Sequence, residues 1–352
     1  QEKETIVKLR AFLDKEVRPI ANDLWGKAEF FNRDVVVKGL ADLGLFGLPW
    51  AETQHFKNSA VFRGWVALEL ARVDASAATL VGMQNGLVMG SIGVAGSQEQ
   101  RDEWLPKFAS GELLGAFGLT EPLSGSDTAQ GLQTVAKRDG DNWIINGAKR
   151  WIGNGSISDV TIIWARDEED NQVKGFIVPT STPGYSATRI ENKMALRIVQ
   201  NADIVLENVV VPEANRLQKS QSFRETAAVL RLTRAEVAWA AVGNSIGAYE
   251  AAVQYANDRI QFGKPIGSHQ LVQEHLAKSL GNITASIGMV TRVSEMLEPH
   301  ARDRGVVPRA HGWQRHRSRL RRHASLRRRG SDLLLRGNSR DEHAHRGSCH
   351  HR

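Results

Sequence analysis

The chain has 352 residues, 41% of them hydrophobic and 24% charged, with a formal net charge of +7 and a single cysteine. That composition excludes a disordered chain and a disulfide-built scaffold, and it suffices for two or three domains around a large core. The basic character is local, because residues 301–352 hold fifteen Arg, no Lys and four acids, while residues 1–300 hold 31 bases and 35 acids.

Residues 1–113 read as an N-terminal helical domain. Ile6, Leu9, Phe12, Leu13, Val17 and Ile20 recur at three-to-four spacing, and Pro19 is expected to break or bend the first helix. "FRGWVALELARVD" and "SQEQRDEWLPKFASGE" continue that period. Residues 114–215 change to short β-rich runs. "NWIINGAKRWIGNG" carries an Asn146-Gly147 turn signal between apolar stretches, and "VTIIWAR", "GFIVP" and "ADIVLENVVVP" read as further strands. Residues 216–299 are helical again, and the Ala-rich run from Arg224 to Ile260 is long enough for more than one ordinary helix. Helices, then a β barrel or sandwich, then a helical bundle make an α+β multidomain fold in separate layers, which argues against a Rossmann enzyme. Residues 300–352 form an Arg/His-rich tail that breaks this patterning.

No apolar run reaches about 18 residues and no charged-then-apolar leader opens the chain, so neither a membrane span nor a signal peptide is expected. With Cys349 the only thiol, the expected location is cytoplasmic, the alternative of a removed organelle leader staying open.

Three strings lie where helical and β textures meet. "FGLTEPLSGSD", Phe117 to Asp127, combines small residues, a proline and hydroxyls in a loop that offers backbone N–H groups to a planar or phosphorylated ligand. "KRWIGNG", Lys149 to Gly155, sets Trp151 at a strand end. "DRIQFGKPIGSHQ", Asp258 to Gln270, closes a long helix with Arg259, an aromatic and a Gly-x-Pro turn. Taken singly, these are an ordinary polar loop, a core tryptophan and a helix C-terminus with a favourable cation.

Together, in this order and spacing, they resemble the acyl-CoA dehydrogenase family over residues 1 to about 299. The branch with glutaryl-CoA dehydrogenases and short-chain acyl-CoA oxidases is the most similar, through "GLTEPLSGSD", "KRWIGN" and "MALRIVQNADIVLENVVVP". The resemblance implies an FAD-dependent oxidoreductase of fatty acid β-oxidation that converts an acyl-CoA to the trans-2-enoyl-CoA. The flavin accepts a hydride from the β-carbon while a carboxylate removes the α-proton. By matching position, Phe117, Leu119 and Thr120 run along the flavin edge, with Gly125 and Ser126 in the loop that follows, and Trp151, Ile152 and Gly153 form the other flank. Many dehydrogenases carry Thr where this chain has Gly153, which leaves oxygen reactivity open. Ser126 resembles the residue that meets the CoA arm, and Arg234 one at the CoA or active-site end of its helix. Arg259, Gln261, Phe262 and Gln270 match residues that reach the FAD of a neighbouring subunit, so a homotetramer built as a dimer of dimers is implied. An electron-transfer flavoprotein is the implied acceptor, with oxygen as the alternative.

Glutaryl-CoA enzymes carry an Arg where this chain has Ala78, in "VDASAATLVGM". A distal carboxylate left unpaired there costs several kcal/mol, roughly, so a short or medium neutral acyl chain is expected. The family's catalytic Glu, in a Tyr-Glu-Gly-Thr segment, is absent, and so is the Gly-Gly-Asn-Gly loop before it. Thr233 stands where a few members place that Glu on an earlier helix. Glu236, two residues past Arg234 and so on a different face, is not assigned the role. No catalytic residue is therefore expected in the chain as written.

The tail is expected to be the right gene in the wrong frame. Read one base later, Leu333 to Ser339 admits Tyr-Ser-Tyr-Glu-Gly-Thr, with Arg336 covering the Glu codon, and His311 to His316 admits Met-Gly-Gly-Asn-Gly-Ile. A rival reading takes the fifteen Arg as a polyanion or nucleic-acid footprint. The tail lacks the interleaved aromatics of such a module, which argues against it.

Overall fold

Helix α1 (Glu2–Phe12) runs through one wider-wound turn, Leu13–Val17, into α2 (Arg18–Lys27) in the computed structural model, which describes residues 1–298. Leu9, Leu13 and Val17 are fully buried on one face, as their spacing predicts. Pro19 lies in the first turn of α2, directly after the wider-wound turn, so the α-helical winding is interrupted just before it, as expected. The expectations about Arg336, Cys349 and the tail lie outside the described residues.

Helices α3 (Lys38–Asp42), α4 (Ala60–Val73), α5 (Ala75–Gly82), α6 (Met89–Ala95) and α7 (Gln98–Ala109) complete this part. A π-wound segment, Met83–Val88, joins α5 to α6. The resulting stretch Ala75–Ala95 has the length and apolarity of a membrane span, but 72% of it is buried inside the protein, the mark of a core helix. A reciprocal pair, Ser97 with Gln100, caps α7.

The middle region is a single seven-stranded mixed sheet: β1 (Gly115–Gly118), β2 (Val135–Asp139), β3 (Asn142–Ile152), β4 (Val160–Asp167), β5 (Val173–Pro179), β6 (Tyr185–Arg189) and β7 (Ala202–Pro212). A short helix, α8 (Thr128–Gly131), leads from β1 towards β2. Along one edge β4 pairs with β5, antiparallel, and along the other it pairs with β1 and then β2, both parallel. Every residue of "VTIIWA" in β4 is buried. One face closes on Trp143, Ile145, Phe176 and Ile204, and the other packs on helical residues such as Met89, Phe108 and Val229.

Asn146-Gly147 is not a turn. Both residues lie inside β3, where the register against β7 shifts between Ile145 and Gly147. A Cβ on Gly147 would come within 2.5 Å of Thr134 Oγ1 and 2.7 Å of its Cα, so the glycine admits a neighbouring backbone. The β2–β3 hairpin turns instead at Gly140, with φ of 59°.

The run after Arg216 forms one helix of 36 residues, α9 (Phe223–Asp258), about 54 Å long. Ser222 and Glu225 cap its start reciprocally. Its continuity rests on close packing against α4, because a Cβ on Gly243 would stand 2.1 Å from Leu68 O, and one on Gly247 2.2 Å from Arg72 O. A small hairpin, β8 (Ile260–Gln261) and β9 (Lys264–Pro265), leads to α10 (Gln270–Leu297). Buried Trp239 of α9 donates from Nε1 to Ser294 Oγ at 2.8 Å.

Candidate functional site

A cavity of about 530 Å³ lies between α4, α5, the Met83–Val88 segment, the end of β3, the Leu196–Asn201 loop and α9. Its walls are mostly apolar, with Val66, Leu70, Val81, Met83 and Leu87 among them. The end of β3 is shaped to serve as one wall. Trp151 takes a left-handed backbone, φ 61°, and its indole is 52% exposed. Asn201 Nδ2 donates to Trp151 O at 2.9 Å, while Asn201 Oδ1 accepts from Lys193 Nζ at 2.7 Å. The same Lys193 ammonium donates to Leu196 O and Val199 O. Burial, with Arg189 and Arg197 nearby, draws Lys193 down to about 8.

The structure brings two of the predicted strings side by side. The backbone N–H of Arg150 donates to Thr120 O at 2.8 Å, so Phe117–Thr120 and Trp151–Gly153 are adjacent. Beneath them Lys149, fully buried, donates to Leu119 O, to Trp164 O and to Glu121 Oε1 at 2.8 Å. Glu121 also accepts from the backbone N–H groups of Gln133 and Thr134. Burial pushes Lys149 down to about 8 against the pull of Glu121. Leu119 and Ile152 bury their side chains, Phe117 leans on Trp164 with ring centroids 6.2 Å apart, and only Trp151 and Gly153 of these strings line the cavity. A Cβ on Gly153 would stand 2.9 Å from Met83 Sδ, so Met83 occupies the room a side chain would need.

The remaining predicted residues lie elsewhere. Gly125 and Ser126 are exposed in the loop before α8. Arg234 is exposed and does not line the cavity. Arg259, Gln261, Phe262 and Gln270 cluster, exposed, at the far end of α9, about 35 Å along the helix from Glu236.

The face of α9 towards the cavity is Thr233, Glu236, Val237, Ala240, Ala241 and Asn244. Arg234 and Glu236 do lie on different faces of α9, as their spacing predicts, and of the two it is Glu236 that faces the cavity while Arg234 points away. The three-and-four spacing from Thr233 to Asn244 was the available signal, and its small residues leave the cavity open along this face. Arg63, also missed, is the second ionisable residue of the lining. Its Nη1 donates to Asn58 Oδ1 at 2.8 Å. Burial pushes the Glu236 carboxyl up to about 7, with Arg63 pulling the other way. Among the described residues no group of His, Cys, Asp and Glu has the arrangement of a metal site.

Three family models match along the chain: the acyl-CoA dehydrogenase N-terminal domain over residues 1–112, the middle domain over 116–209 and the C-terminal domain over 223–311. The mouse mitochondrial short-chain specific acyl-CoA dehydrogenase is 32% identical over 273 residues, 76% of this chain, and the chain spans only 66% of that protein. A glutaryl-CoA dehydrogenase of Desulfococcus multivorans is 32% identical over 291 residues, 79% of this chain and 73% of that one. Among solved structures, a Mycobacterium smegmatis glutaryl-CoA dehydrogenase in complex with FADH2 superposes with a TM-score of 0.80 at 32% identity, covering 85% of this chain and 76% of that one.

Proposed function

The chain belongs to the acyl-CoA dehydrogenase family, and from that premise we propose that it binds FAD along Phe117–Thr120 and Trp151–Gly153 and dehydrogenates a short- or medium-chain acyl-CoA to the trans-2-enoyl-CoA. The observation that carries this is the place of Trp151 and Gly153, which lie beside the loop after β1, through the bond from Arg150 N–H to Thr120 O, and also line the apolar cavity. A planar ring system fits there: the indole of Trp151 is turned out as a flat wall, and Gly153 presents no side chain. Bound there, FAD supplies the two-electron acceptor for the β-hydride.

The chain's own residues hold and orient the acyl group. Apolar walls from α4, α5 and α9 exclude water from it. Ala78 on the wall offers no cation where glutaryl-CoA enzymes carry an Arg, which supports a neutral short or medium chain over glutaryl. Ser126 and Arg234, exposed outside the cavity, suit the CoA arm. The exposed cluster Arg259, Gln261, Phe262 and Gln270 suits contact with the FAD of a second copy, and hence a homotetramer. We also place the protein in the cytoplasm, on its single cysteine.

The position of the family's α-proton acceptor is taken by Arg336, outside the described residues, and a guanidinium already carries its proton. Loss of a positioned base costs about 10²–10⁴-fold in rate, so the chain as written is an impaired enzyme and its tail a frameshift. Purified protein should be yellow, and butyryl-CoA should bleach its flavin slowly. A colourless protein that takes up neither FAD nor CoA esters would sink the proposal. Peroxide formed during turnover in air marks the oxidase alternative, which Gly153 leaves open. Resequencing codons 293 to 312 tests the frame: an uninterrupted frame with full activity removes both the frameshift and the impairment.

A further inference from the structure

Glu236 is the sole carboxylate among the described residues that line the cavity. Its surroundings are unusual for a charged group. The neighbours on its helix face are Thr233, Val237 and Ala240, and across the cavity lie Gly82 and Met83, with a Cβ on Gly82 falling 4.0 Å from Glu236 Oε2. No hydrogen bond or ion pair to Glu236 forms among the described residues. Arg63 influences it through space, and its Nη1 donates to Asn58 O and Asn58 Oδ1, not to Glu236.

On the reading that this cavity holds the acyl chain, we infer that Glu236 selects acyl groups bearing a hydroxyl over unsubstituted chains of equal length, and rejects dicarboxylyl groups. A carboxylate in an apolar wall without a donor leaves its acceptors unsatisfied, and burying it behind an alkyl chain makes that loss permanent. A hydroxyl on the chain brings one donor to Glu236 and fills the same volume as a methyl group. A second carboxylate would face like charge across a low-dielectric space. An amine would be drawn to Glu236 but repelled by Arg63, so the neutral hydroxyl is the better match.

The selection depends on pH with a definite sign. Among the described residues Arg63 of α4 is the only other ionisable group of the lining; α5, the Met83–Val88 segment, the end of β3, the Leu196–Asn201 loop and the rest of the α9 face bring none. Glu236 is neutral below about 7, where it tolerates alkyl, and anionic above, where it demands a donor. Preference for the hydroxylated chain therefore rises with pH.

The test uses FAD-loaded full-length protein and titrates valeryl-CoA, 4-hydroxybutyryl-CoA and glutaryl-CoA by calorimetry at pH 6 and pH 8, in wild type, Glu236→Gln and Glu236→Val. Wild type should bind the hydroxylated ester about tenfold more tightly than valeryl-CoA at pH 8, and less selectively at pH 6. Glu236→Val should invert the order, and Glu236→Gln, nearly isosteric, should keep the hydroxyl preference but lose its pH dependence. Equal affinities in wild type at both pH values, or a ratio unmoved by Glu236→Val, would overturn the inference alone. Failure of all three esters to bind would overturn the acyl-CoA reading with it. Unchanged binding with equal loss of flavin reduction for every ester in Glu236→Gln would overturn it in favour of a proton-acceptor role.

Discussion

Lys149 Nζ stands 2.8 Å from Glu121 Oε1, with the two side chains 0% and 3% exposed. The pair ties the strand that ends in Trp151 to the loop that begins at Leu119, so the two halves of the proposed flavin wall share one buried ion pair. Removing one partner strands the other charge in a medium that cannot solvate it. Lys149→Met should therefore destabilise the fold by about 3–5 kcal/mol, read by urea denaturation. Adding Glu121→Gln should restore part of that loss, because it removes the stranded charge while its amide oxygen still accepts from one of the Gln133 and Thr134 N–H groups. A single-variant loss below 1 kcal/mol, on the order of a surface pair, would show that the wall is held by other contacts.

Glu236 should leave a mark on stability as well as on binding. Its folded-state value, raised by burial from 4.5 to about 7, means that the native state holds the proton more tightly than the unfolded chain. Stability from this group is complete below about 4.5 and is lost as pH rises to 7 and beyond. Glu236→Gln should then match wild type near pH 4.5 and exceed it at pH 8 by up to roughly 3 kcal/mol. Thermal melts across that range check the sign; parallel curves for the two proteins would refute it.

Gly153 and Met83 should behave as a coupled pair. Gly153→Thr pushes its Cβ against Met83 Sδ, and a thioether can move, so the cost should be modest, about 1 kcal/mol. Met83→Ala should make the threonine neutral or better in the double variant. Additive effects in that cycle, measured by melting temperature, would mean that Met83 is not what limits the position.

In an exposed helix, replacing glycine by alanine stabilises by about 1 kcal/mol. At Gly243 the sign should reverse, because the atom that the new Cβ meets at 2.1 Å is the backbone carbonyl of Leu68, which cannot rotate away. We expect Gly243→Ala to cost about 3 kcal/mol and to separate α4 from α9, seen as a red-shifted emission of buried Trp239. Gly281, where a Cβ meets nothing within 4 Å, supplies the control and should gain stability.

The order helices, sheet, helices was legible from the chain alone, and so were the strings of the proposed flavin wall. Apolar periodicity is a short-range property, and Leu9, Leu13 and Val17 need only be on one face of one helix to be read. Asn146-Gly147 was misleading for the same reason: a turn dipeptide is a local preference, and here the approach of Thr134, just before β2, accompanies a register shift at the glycine inside β3. Only the tertiary structure decided which side of α9 matters. A helix exposes every direction to its own sequence, and Glu236 became a cavity residue, with Arg234 outside, because Gly243 and Gly247 seat that helix on the backbone of α4 in one rotational setting. The bond between Lys149 and Glu121 spans 28 positions, a separation across which no pattern in the chain points from one residue to the other.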